Sequence, residues 1–184
     1  MQRREALARV TALMGGALSA PALGYLMGGC DTKTAPAVVN GILTDAQLQT
    51  TAELAETIVP TTDTPGAKAA GVPAFIPMML EECYPQEDRE LFQRGLNTLD
   101  TRSEERFGRT FAAASAEQRA EVLRTMVEAE DESERTFFLL AKELTLLGYF
   151  TSEIGATQVL EYVHVPGRYE GCLPMEPDQR AWAS

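Results

Sequence analysis

His164 and the three cysteines Cys30, Cys83 and Cys172 are the side chains of this chain best suited to nucleophilic or metal chemistry, and their spacing supports little of it. No cysteine pair stands at C-x-x-C or another zinc-ligand spacing, which argues against a zinc site. A single histidine cannot build a multi-histidine metal site, and any histidine-activated nucleophile would have to use that one ring. His164 is therefore read as a packed or hydrogen-bonding residue. The acidic pairs Glu81-Glu82 and Glu104-Glu105 are adjacent in sequence, and helix neighbours point about 100° apart. They read as solvated faces, not as a carboxylate dyad. The run Glu128–Glu134 lacks the glycine and the regular ligand spacing of a calcium loop. The dinucleotide fingerprint, the P-loop, the haem-attachment C-x-x-C-H and the nucleophile elbow G-x-S-x-G are all missing. No catalytic, cofactor-binding or metal-binding residue is assigned.

Two segments point to contact instead of chemistry. "PTTDTPGAKAAGVP" (60–73) holds three prolines and two glycines in 14 residues. Such a loop is either a functional surface or a plain connector between helices. Tyr149, Phe150, Tyr162, Tyr169 and Trp182 place 5 of the 13 aromatics in the last 36 residues. Aromatics there suit a protein–protein contact, or else they fold back on the chain's own helices.

The elements that must position these segments are mostly helical. Thr44 and Gln47 form a capping box, and Leu48, Ala52, Ala55 and Ile58/Val59 recur at helical spacing up to Pro60. Pro73 can open the next helix, which runs toward Pro85, with Pro77 disturbing its first turn. Leu91/Phe92, Leu96, Leu99 and Phe107 predict a long amphipathic helix from Gln86 to Phe107, with Gly95 as a weak point. Ser115 and Gln118 form a second capping box, and the acidic run marks the next helix start. "RTFFLLAKELTLLGYF" (135–150) is apolar most of the way round, so it reads as a central buried helix that loosens near Gly148. After residue 151 glycines and prolines multiply. The expectation is an all-α domain of about five helices over 44–150, a linker over 31–43, and an extended, irregular C-terminal arm over 151–184.

Residues 1–30 read as a leader. Arg3-Arg4 supply a positive start, and Val10 to Leu26 carry no charge. That stretch is shorter than the roughly 20 apolar residues of a spanning helix, and Gly15-Gly16, Pro21 and Gly24 break it. The pattern is that of a twin-arginine signal peptide, which carries proteins already folded. "MGGC" (27–30) resembles a lipobox, which makes Cys30 a lipidation candidate, while Ala20-Pro21-Ala22 and Ala35-Pro36-Ala37 offer competing cleavage sites. In an oxidising compartment Cys83 and Cys172 either pair, with each other or with another chain, or stay as buried free thiols. The formal net charge of −11 repels phosphates and argues against nucleic acid.

"ETIVPTTDTPGAKAAGVPAFI" (56–76), "ELTLLGYFTSEIGATQVLEY" (143–162) and "VPGRYEGCLP" (165–174), behind a twin-arginine leader, resemble the gluconate 2-dehydrogenase subunit 3 family. The resemblance implies a non-catalytic small subunit of a membrane-bound sugar or sugar-acid dehydrogenase. Its large partner would be an FAD-containing flavoprotein of the glucose-methanol-choline type, and a c-type cytochrome carrying haem would take the electrons onward. This chain would hold no cofactor. It would help export, attach and stabilise the flavoprotein at the periplasmic side of the cytoplasmic membrane, through the partner or a lipid anchor. The resemblance marks Pro60, Thr64, Pro65, Gly66 and Pro73 in the loop as interface candidates. In the arm it marks Gly148, Tyr149, Phe150, Thr151, Ser152, Glu153, Pro166, Gly167, Tyr169, Gly171 and Cys172. The alternatives are a free-standing periplasmic lipoprotein that binds a ligand or scaffolds an envelope complex, and a stand-alone enzyme with an unfamiliar helical site.

Overall fold

The computed structural model describes residues 41–165, 167, 172, 174 and 177–183, all within the unit Asn40–Ser184. The leader with Arg3, Arg4 and Cys30 lies outside the described residues, as do Pro166, Tyr169 and Gly171. Among the described residues there are five α-helices: α1 (Asp45–Ile58), α2 (Val72–Cys83), α3 (Gln86–Phe107), α4 (Ala116–Val127) and α5 (Glu132–Thr151). The expected all-α class and its five helices are what forms.

Local signals set the helix starts. Thr44 and Ser115 cap α1 and α4, and in each case the glutamine three residues on returns a bond to the cap nitrogen. Asp131 caps α5 by accepting from the Ser133 N–H at 2.8 Å. Helix α2 starts one residue earlier than Pro73, at Val72, and runs on through Pro77, which is buried. A short 3-10 turn, Phe111–Ala113, joins α3 to α4. It escaped the sequence reading because its anchor is distant: the Phe111 N–H donates to Asp100 of α3, while the Thr50 hydroxyl of α1 donates to the same carboxylate.

The core gathers Leu54, Ile76, Leu80, Phe92, Leu96, Leu99, Phe111, Met126, Phe137 and Leu144, all fully buried. Helix α5 contacts each of the other four helices, as a central element must. It is not buried all round, however: Leu139 is 62% exposed and Leu147 and Phe150 are 40% exposed. Between α3 and α4 on one side and α5 on the other, Arg102 pairs with Glu134 at 2.6 Å and donates to Thr125 at 3.2 Å. Among the described residues, no helix is long and apolar enough to cross a membrane.

Gly95 is not a weak point. A Cβ there would overlap the ring of Phe137, which meets Phe92 edge-on at 5.4 Å and 62°. The glycine makes room for the Phe137 ring of α5 against α3. Gly95→Ala is therefore expected to destabilise the domain by about 1–3 kcal/mol through overpacking, although alanine is the better helix former. Urea unfolding checks this, and the sign is diagnostic, since at an open helix site the same change stabilises.

Candidate partner interface

Two carboxylates of α1, Glu53 and Glu56, stand three residues apart and so share a helix face. That face looks onto the 60–70 loop. Glu56 Oε1 accepts from the Thr61 N–H at 3.0 Å and the Thr61 hydroxyl at 2.7 Å, and its Oε2 accepts from the Lys68 N–H at 2.9 Å. Burial pushes the Glu56 carboxyl up, but the Lys68 and Thr61 hydrogen bonds outweigh it and hold the group below the ordinary carboxylate value. Glu53 pairs with Lys68 at 2.5 Å and also with Arg119 of α4. The loop is thus fastened to α1 and α4.

The loop is fastened to α5 as well. The Tyr149 hydroxyl, on a side chain 2% exposed, donates to the Pro65 carbonyl at 2.7 Å. Gly66 is buried, and a Cβ there would lie 2.6 Å from the Thr61 nitrogen, so only glycine lets the loop close on Glu56. Gly148 does not loosen α5: a Cβ would lie 2.6 Å from the Phe75 ring, so this glycine admits α2. The loop candidates and the start of the arm therefore form one internal joint. Thr64, Pro65 and Pro73 are half-buried and Pro60 is exposed.

Beyond the joint, the candidates divide. The Ser152 hydroxyl donates to the Tyr149 carbonyl at 2.6 Å and accepts from the Gly155 N–H at 3.0 Å, closing the end of α5. Thr151 donates to the Leu147 carbonyl at 2.6 Å. Phe150, Thr151, Glu153, Gly167 and Cys172 are exposed. The arm is less extended than its composition suggests. A π turn, Gly155–Val159, leads into β1 (Glu161–Tyr162), which pairs in parallel with β2 (Trp182–Ala183). Arg180 donates to the Gln158 carbonyl at 2.9 Å, so the end of the arm returns to its beginning.

Cys83, at the end of α2, and Cys172, in the arm, are both free and exposed. They do not pair with each other, and they are not the buried thiols of the other reading. His164 hydrogen-bonds through Nδ1 with the Tyr162 hydroxyl at 3.0 Å, in the hydrogen-bonding role expected of it. Among the described residues, no three His, Cys, Asp or Glu side chains are grouped to hold a metal ion. Glu53 and Glu56 were missed in the sequence. Their signal was faint: two acids on one helix face, with Lys68 and Arg119 far along the chain.

Glu56 gives the joint a pH dependence. Its folded value lies below its unfolded one, so its stabilisation is complete above the ordinary carboxylate value and is lost as pH falls through the lowered folded value. Glu56→Gln is expected to weaken the domain by about 0.5–1 kcal/mol near neutral pH, since solvent screens a partly accessible carboxylate, and to remove part of the acid-side loss. Tyr149→Phe should cost about 1 kcal/mol through the lost bond to the Pro65 carbonyl. Thermal melts of the three proteins from neutral to acid pH check both expectations.

The gluconate 2-dehydrogenase subunit 3 family model matches residues 45–167, which span α1 through the first part of the arm. No curated protein and no solved structure matches the chain. The family's name places it in a multi-subunit gluconate dehydrogenase, and the match covers more than half of this sequence, including the whole joint between loop and α5. The chain belongs to the gluconate 2-dehydrogenase subunit 3 family.

Proposed function

We propose that this chain is the non-catalytic small subunit of a periplasmic FAD-dependent dehydrogenase of sugars or sugar acids. The observation that supports the reading is the match over 45–167 to the gluconate 2-dehydrogenase subunit 3 family. The sequence adds its lack of the common nucleotide, haem and nucleophile motifs. The catalytic partner is a flavoprotein of the glucose-methanol-choline type, and FAD belongs to that partner. A c-type cytochrome receives the electrons.

The leader fits this role. Arg3-Arg4 and the mild apolar run suit the twin-arginine route, which accepts folded passengers. A small domain without a cofactor gains little from that route, whereas a flavoprotein that must keep its FAD gains much. The small subunit then supplies export, membrane attachment and stability, with Cys30 as a lipid anchor where the lipobox is used.

Deleting this chain from the source cells is expected to leave the flavoprotein in the cytoplasm and to remove substrate-dependent dye reduction from the membrane fraction. Fractionation with flavin fluorescence and activity reads both. A flavoprotein that still reaches the periplasm in normal amount and activity would overturn the reading.

A further inference from the structure

Of the residues that carry the family motifs, Gly66, Gly148 and Tyr149 are buried in the chain's own packing, while Phe150 at the end of α5 and Glu153 just past it are exposed. Eight large apolar side chains are exposed among the described residues, and six of them lie on α5 and the arm: Leu139, Leu147, Phe150, Tyr162, Val165 and Trp182. On α5, positions 139, 143, 146, 147 and 150 share one face, opposite the buried Ala141, Leu144 and Gly148. A helix that faces only solvent on that side would carry polar residues there. Here the stripe is Leu, Glu, Leu, Leu, Phe, with Lys142 at its edge.

The arm adjoins the end of α5. Its π turn packs on the end of α5, where a Cβ at Gly155 would lie 2.9 Å from the Phe150 Cα. β1 follows directly, with Tyr162 49% and Trp182 57% exposed. A ribbon of two strands with two residues each is too small to be stable by itself, and both of its outer edges are unpaired among the described residues.

We infer that the outer face of α5 and the adjoining arm ribbon form the seat of the flavoprotein subunit. The inference rests on the function proposed above and adds to it the location of the contact. Two observations choose the occupant. Membership in a multi-subunit enzyme family supplies another chain to cover the surface. A second copy fits poorly, because two chains of formal charge −11 repel each other. Glu143 interrupts the stripe and Glu153 lies just past its end, both exposed. The matching surface is therefore an apolar groove with a basic flank. Its apolar contacts give the affinity, and its basic residues set orientation and on-rate.

The test uses the full chain, tagged and co-expressed with the glucose-methanol-choline-type flavoprotein of its complex, in wild-type form and as L139D/L147D and E143K. The wild type should recover that flavoprotein, identified by mass spectrometry and by its flavin spectrum. L139D/L147D should weaken recovery by at least about a hundredfold while its helix signal and melting temperature stay at wild-type values. E143K should lower the on-rate, with a loss that shrinks as salt rises. If L139D/L147D loses helix signal, L139S and the E143K salt series decide by the same readouts. Wild-type binding by the folded variants overturns this inference and leaves the accessory-subunit reading intact. A wild-type chain that recovers no flavoprotein overturns both. A wild-type dimer that the same variants dissolve, with flavoprotein binding unchanged, assigns the surface to a second copy and overturns the inference.

Discussion

Glu56 places a half-buried carboxylate where α1 meets the 60–70 loop, and three donors from that loop close on it. A charge so placed must be satisfied, and the donors can reach it only if the loop folds tightly at Gly66. The Gly66 N–H then donates to the Thr61 hydroxyl at 3.1 Å, and the Pro65 carbonyl is turned toward Tyr149. A segment rich in proline and glycine thereby becomes a fixed part of the helical core. Because Tyr149 sits on α5, the same constraint sets where α5 lies against α1 and α2. Two of the three segments that carry the family resemblance, 56–76 and 143–162, hold the two halves of this joint.

That arrangement separates framework from contact. Gly66, Gly148 and Tyr149 serve the chain's own packing, in positions that a partner cannot reach without unfolding it. Among the described residues, the outer side of α5 and the aromatic side chains of the ribbon are left exposed. In the proposed complex the loop keeps α5 in register, and α5 presents an apolar stripe to the flavoprotein. In that proposal, covering apolar surface on both chains is what would stabilise the partner.

Local rules made much of the fold legible. Both capping boxes form as their spacing implies, and α3 spans Gln86–Phe107 as its apolar period predicts. These features depend on residues within one or two turns of each other. What could not be read depends on distant partners. Gly95 and Gly148 look like helix-weakening residues until Phe137 and Phe75 occupy the space above them. Glu56 looks like one more surface acid until Thr61 and Lys68 turn back toward it. The uncovered side of α5 was hidden for a related reason: an apolar period identifies a buried face but not whether the cover comes from the same chain. Cys83 and Cys172 could be paired on paper, but the fold leaves both free and exposed, Cys83 at the end of α2 and Cys172 in the arm.

Hydroxyl-radical footprinting of the isolated chain and of the proposed complex with the flavoprotein tests the central claim most directly, because it reads side-chain exposure at single residues. The account predicts that labelling of Leu139, Leu147, Phe150 and Trp182 falls sharply in the complex, while exposed loop residues such as Pro60 label equally in both. Unchanged labelling on α5 and the arm, with protection confined to the 60–66 loop, would contradict it.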